Sequence, residues 1–289
     1  MPCNMCFVGR DKFNLTKKKE EEQMSLSIEV CTPADRPIIA TITGDAGLGK
    51  TTLAATFPKP IFIRAEDGLQ SIPIGQRPDA FPIVHSVADL WAQLKDLCNS
   101  EHDYETLIID SVTALERLFT QHVLDSDPRQ PKSMNQALGG YGAGLGAVAT
   151  MHQRVRKACG YLNEKKAMHI VFIAHADTET IELPDQEPYT RYSLRLGKRS
   201  QAPYTDDSDL VGFIKLQTMF KAGSNPESKK KAISDGTRVI DCQATASSVS
   251  GNRYGITEAI RVEKGVNPFI GLVTSLTPEI KPTQQEGAQ

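Results

Sequence analysis

The chain has 289 residues, 39% of them hydrophobic and 24% charged, which is ordinary composition for a soluble chain with a sizeable core, enough for one large domain or two small ones. Its net charge of −2, from 33 basic and 35 acidic residues, excludes a global basic field, so any nucleic-acid surface must be a local patch. No apolar run approaches the roughly 18 residues of a membrane span, the first 30 residues lack a secretory apolar core, and six cysteines are too few for a disulfide framework, so a cytoplasmic protein with reduced thiols is expected.

Residues 1–24 read as a disordered N-terminal extension, with little to bury and with Lys17-Lys18-Lys19-Glu20-Glu21-Glu22 in the weaker charge orientation for a helix. Met24 is then a candidate functional start. Cys3 and Cys6 form a C-x-x-C without the second pair that a structural zinc needs. Residues 25–275 are expected to form the folded domain, and 276–289 a disordered tail.

Pro37 to Thr43 is a β-branched run that predicts a buried strand, and Leu53 to Phe57 continues a helix that Pro58 stops. Between them, Gly44-Asp45-Ala46-Gly47-Leu48-Gly49-Lys50-Thr51 fits the phosphate-binding pattern G-x-x-x-x-G-K-[ST] in its strand–loop–helix context. Glycines let successive N–H groups turn inward on an anion, and the helix presents its positive end to the same oxygens. Lys50 would reach the β- and γ-phosphates and Thr51 would hold a Mg²⁺, while Thr52 continues the helix at the edge of the site. ATP and Mg²⁺ are the expected ligands.

Pro60 to Ala65 reads as a second buried strand ending at Glu66-Asp67-Gly68. Ser86-Val87-Ala88-Asp89 is a capping box ahead of an amphipathic helix that includes Trp91, Leu94 and Leu97. Thr106 to Asp110 is a short apolar strand closing on a carboxylate, and Ser111 opens another helix. Asp110 can therefore orient a Mg²⁺ shell opposite Thr51, or serve as a helix N-terminal aspartate. A polar, glycine-rich connector spans 125–146, a helix Val148 to Leu162, and a core strand Met168 to Ala174, with His175 at its end.

From Asp177 to Ser208 basic and aromatic residues interleave, the chemistry that single-stranded nucleic acid needs, although a solvated hairpin has the same pattern. Arg191, Arg195, Lys198 and Arg199 are the candidate phosphate contacts and Tyr192 the candidate stacking ring. Leu210 to Gln217 and Thr237 to Thr245 predict a hairpin finishing the sheet, with Lys229 to Lys231 in its solvated tip.

Several stretches together resemble a RecA-like P-loop ATPase over roughly residues 36 to 262, and the chain is most similar to the phage-encoded members associated with single-strand annealing and recombination. Ile61 to Glu66 resembles the strand that delivers a catalytic glutamate, and Ile108 to Leu115 resembles the second nucleotide motif. Ser250-Gly251-Asn252-Arg253-Tyr254-Gly255 is similar to the turn by which ring-forming relatives reach a neighbour's nucleotide, with Gly251 where they carry lysine. His175 stands where many recombinases place a γ-phosphate-sensing glutamine.

The resemblance implies an α/β fold with a mostly parallel central sheet flanked by helices and a C-terminal antiparallel hairpin. It implies Glu66 orienting the attacking water, Lys50, His175 and Arg253 as further catalytic residues, and Arg253 acting on the adjacent subunit of a ring or filament. Single-stranded DNA is the implied partner, a single-strand-binding protein is a candidate second one, and the host cytoplasm is the implied setting. The alternative function is a nucleotide-driven assembly or signalling ATPase of the same fold that does not bind DNA.

Overall fold

The computed structural model describes residues 36–221 and 231–276. The expected extension 1–24 with its C-x-x-C, the side chains of Lys229 to Lys231 and residues 277–289 of the expected tail lie outside the described residues.

In chain order the elements are β1 (Ile39–Gly44), α1 (Lys50–Ala54), β2 (Pro60–Arg64), β3 (Asp79–Ala80), α2 (Val87–Asn99), β4 (Thr106–Asp110), α3 (Val112–Ser126), α4 (Ala143–Lys165), β5 (His169–Leu183), β6 (Gln186–Leu194), α5 (Lys198–Thr205), β7 (Leu210–Lys221), β8 (Lys231–Asp241), β9 (Gly251–Asn252) and β10 (Ile260–Arg261). The sheet order is β10-β8-β7-β1-β5-β4-β2-β3, with β6 paired to β5 and β9 to β7. Strands β7, β1, β5, β4, β2 and β3 run parallel, and β6, β8, β9 and β10 add antiparallel pairs. This is the expected α/β class, with its antiparallel hairpin at the C-terminal side.

The strands are apolar on both faces because both faces are covered. Ile61, Ile63, Leu107, Ile109, Ile170 and Phe172 pack with α2, α3 and α4. Their alternates Ala40, Ile42, Phe62, Ile108, Val171 and Ile173 pack with α1 and with the C-terminal residues Ile256, Phe269 and Val273. The period-2 alternation of a strand thus splits one run of sequence between two cores.

Helix α2 begins where its capping box predicts: Ser86 Oγ accepts from the Asp89 N–H at 3.2 Å, and the Asp89 carboxylate accepts from the Ser86 N–H at 2.9 Å. Trp91 is only half-buried, with Arg154 lying 5.7 Å over its ring. Helix α4 starts five residues earlier than its apolar spacing suggests, within the glycine run. Strand β5 continues well past Ala174, through His175 to Leu183, so the polar 177–194 segment is mostly an antiparallel hairpin with β6.

Buried His169, at the start of β5, accepts the Ile38 N–H on Nδ1 at 3.1 Å. Desolvation lowers its pKa to about 4, so the folded protein keeps the ring neutral where the unfolded chain would protonate it near 6.5. The folded form binds fewer protons in that window, and stability is lost as pH falls from 6.5 towards 4. The His169 contribution between pH 7 and pH 5 is about 2 kcal/mol. Urea unfolding at both pH values should show His169→Gln losing less stability on acidification than wild type by that amount; parallel losses would refute the assignment.

Candidate functional site

The parallel strands end together at one edge of the sheet, and the loop after β1 lies there. Gly44 at the end of β1 is level with His175 on β5, and Asp110 at the end of β4 is level with Ile173 on β5 and Arg64 on β2. A cleft of about 510 Å³ opens at this edge, lined by Ala46, Gly47, Gly49, Lys50, Thr51, Thr52, Glu66, Asp67, Gly68, Ser71, Asp110, His175 and Arg238.

Lys50 Nζ donates to the carbonyls of Gly44 and Asp45, both at 2.9 Å, which stretches the side chain back along its own loop. Burial lowers its pKa from the usual lysine value, opposed by the nearby carboxylates of Asp110, Glu66 and Asp45. The Thr51 hydroxyl donates to Asp110 Oδ2 at 2.8 Å. Burial pushes the Asp110 carboxyl up to about 6, against the Thr51 hydrogen bond that holds it down. A divalent cation in front of this pair would favour the ionised form.

Glu66 follows β2 and is tied to two other elements. His175 Nε2 donates to Glu66 Oε1 at 3.1 Å, and Arg117 of α3 lies 3.8 Å from Oε2. The hydrogen bond from His175 is the main reason the Glu66 carboxyl sits below its ordinary pKa. Thr113 of α3 accepts the His175 backbone N–H at 3.0 Å, fixing the point where β5 leaves the parallel core. The result is an ionised carboxylate, oriented from two sides, facing the cleft.

The residues fit a magnesium-bound polyphosphate. Thr51 and Asp110 offer hard oxygen donors side by side, and among the described residues no group of three or more His, Cys, Asp and Glu side chains forms a metal site without a ligand's help. Space in front of the pair depends on Gly68: a Cβ there would stand 2.5 Å from Asp110 Oδ2 and 2.8 Å from Thr51 Oγ1.

The remaining predicted residues lie apart. Arg191 is paired with Glu179 across the β5/β6 hairpin at 2.8 Å, and the half-exposed Tyr192 ring stacks on Phe213 at 4.7 Å. Arg195 donates its backbone N–H to the His175 carbonyl, while its guanidinium is exposed, 3.9 Å from Asp177. Arg199 bonds the Gly142 carbonyl at 3.1 Å, and Lys198 has no ion pair among the described residues.

Arg253 donates to Asp209 Oδ1 at 3.1 Å, and Asp209 also accepts the Ile39 N–H at the start of β1. It therefore sits at the opposite edge of the sheet from the phosphate loop, the six-residue length of β1 away, roughly 20 Å.

Sequence reasoning missed Arg238, Arg117 and Thr113 as neighbours of the site and gave Gly68 no role in it. Arg238 is brought in by long-range packing, whereas Thr113 and Gly68 stand within or beside stretches already singled out and gain their roles only from the tertiary contacts.

Fold and cleft together define a P-loop protein of the α/β class. The AAA domain family matches residues 36–254, and the chain belongs to that family of P-loop ATPases. A relative, the SPbeta prophage-derived uncharacterized protein YorG of Bacillus subtilis (strain 168), is 26% identical over 181 residues, which is 61% of this chain and 50% of the relative. The chain thus spans about half the length of the curated relative it matches. One solved structure it resembles is that of the RadB recombinase, with a TM-score of 0.42 and 11% identity over 80% of this chain and 90% of that one.

Gly68→Ala should overpack the Thr51–Asp110 pair and lower magnesium-dependent nucleotide hydrolysis by about five- to a hundredfold, the effect of roughly 1–3 kcal/mol of crowding. Steady-state turnover across a magnesium titration checks this, and a variant with wild-type turnover would show the space to be unused.

Proposed function

We propose that the protein binds and hydrolyses ATP with Mg²⁺ and couples this to single-stranded DNA in phage-type homologous recombination or single-strand annealing, as a homo-oligomer in the host cytoplasm. The observation that carries the reading is the convergence of Lys50, the Thr51–Asp110 pair and the His175-bound Glu66 on one cleft at the ends of the parallel strands.

In this reading the loop N–H groups and α1 bind the phosphates, and Lys50 exchanges its two carbonyl contacts for the β- and γ-phosphates. Bound Mg²⁺ would neutralise charge on the same phosphates, held by Thr51 and Asp110. Glu66 accepts a hydrogen bond from the attacking water and aims it, and His175 fixes which way the carboxylate faces.

The DNA reading is supported by the course of β5. His175, which touches Glu66, and the hairpin carrying Arg191, Tyr192 and Arg195 belong to one continuous strand and its partner. Arg195, whose backbone N–H bonds the His175 carbonyl, and Lys198 both present exposed charges to solvent. A prophage-derived relative agrees with a phage setting, and among the described residues no helix is long and apolar enough to cross a membrane.

ATPase measured with and without single-stranded DNA tests both halves. Wild type should be stimulated. Lys50→Ala should lose binding and turnover, and Glu66→Gln should bind ATP but not turn it over. Neutralising Arg191, Arg195, Lys198 and Arg199 together should weaken DNA binding and flatten its salt dependence with basal ATPase intact. Turnover by Lys50→Ala at the wild-type rate would sink the ATPase assignment, and an unchanged salt slope would remove the DNA surface from this hairpin.

Arg253 is proposed to act in trans. Its half-exposed fork, on the edge far from its own loop, could serve a nucleotide held by the next subunit, where an arginine finger contributes about 10³–10⁵ in rate. Arg253→Ala and Lys50→Ala, each inactive alone, should recover part of the ATPase when mixed. With subunit exchange demonstrated, a mixture that stays inactive excludes the trans role.

A further inference from the structure

Among the cleft-lining residues, Arg238 is a permanent cation that the reading above leaves without a task. It lies on β8, fixed on both sides: Leu216 of β7 is its register partner, and its carbonyl accepts the Val262 N–H at 2.9 Å. From there the half-buried side chain crosses to the phosphate loop, where Nη1 donates to the Leu48 carbonyl at 3.3 Å. It lies so close to Gly49 that a Cβ on that residue would stand 2.5 Å from Nη1. Among the described residues Arg238 has no carboxylate partner. A guanidinium has five donors, and one long contact to a carbonyl leaves most of them free for an anion.

The two cations of the loop occupy different ends of it. Lys50 is drawn toward Gly44 and Asp45, whereas Arg238 lies against Leu48 and Gly49, next to the first turn of α1. The loop N–H groups and helix start serve the inner phosphates and the lysine the outer ones. We infer that Arg238 is a phosphate-contacting residue of the nucleotide cleft, supplied in cis by β8 and acting on the phosphates that ATP and ADP share. This rests on the nucleotide-binding reading of the cleft. It makes the β7/β8 hairpin a wall of the site rather than a terminal decoration of the sheet.

Fluorescent ATP and ADP analogues are titrated into wild type, Lys50→Ala, Arg238→Gln and Arg238→Lys, and thermal midpoints are recorded without nucleotide. Arg238→Gln should weaken ATP and ADP alike, on the order of ten- to a hundredfold, with the nucleotide-free midpoint unmoved. Arg238→Lys should fall between wild type and Arg238→Gln, because it keeps the charge and loses the fork. Unchanged affinity, or a loss confined to ATP, would overturn the inference.

Labelling of the wild-type protein with phenylglyoxal, read by mass spectrometry, decides the matter should a variant misfold. ADP should protect Arg238, and equal labelling with and without ADP overturns the inference. Wild-type protein that binds neither nucleotide would overturn the reading of the cleft itself, a result distinct from wild type and Arg238→Gln binding equally well.

Discussion

Everything at the candidate site follows from the parallel pairing of β1, β5, β4 and β2. Parallel strands point their carbonyl ends the same way, so loops distant in sequence must emerge at a common edge. Here that edge receives the phosphate loop from β1, Glu66 after β2, Asp110 from β4 and His175 from β5, at matched register. Slipping any of these strands by one residue would turn its apolar side chains from one core to the other, so the two cores that hold the sheet together also hold the site in alignment.

The same geometry explains the contrasting electrostatics of the two edges. At the site, Asp110 is buried with a single hydroxyl donor and its carboxyl is pushed up to about 6, an arrangement with unspent capacity for a cation. At the other edge, Asp209 is equally buried but saturated, accepting from Arg36, Arg253 and the Ile39 N–H. One carboxylate is left waiting for charge, and the other is fully engaged in closing the sheet where β1 begins.

Much of this was legible in the sequence wherever the signal was local. The phosphate loop, the carboxylate closing the apolar run at Asp110 and the capping box at Ser86 each declare themselves within a few residues, because each is built from backbone geometry that only certain side chains allow. Strand β5 was legible only to Ala174. Beyond it one face turns to solvent and charged residues enter, and its extension exists because β6 returns to pair with it. Helix α4 was read short because glycines oppose helix formation, and packing of Gly144 against Ala137 and Met134 overrides that tendency. Arg238 was invisible for a different reason. Its arrival over Gly49 depends on the β7/β8 register, which carries an irregularity between Leu216 and Thr218, and no short window encodes such a pairing.

Strand β5 also has a mechanical character. It runs for 15 residues without a break, from the core at His169 through His175 to Leu183, and its outer eight residues extend roughly 26 Å past the catalytic edge. A loop between the two parts would absorb a pull on the hairpin by bending at its own soft dihedrals. The stretch paired in regular register, Ala176 to Ile181, has no such joint, so a load on it is carried as a beam carries it, to the anchorage where Thr113 grips the His175 backbone. The imidazole clasping Glu66 therefore stands at the fulcrum of a lever whose long arm projects into solvent.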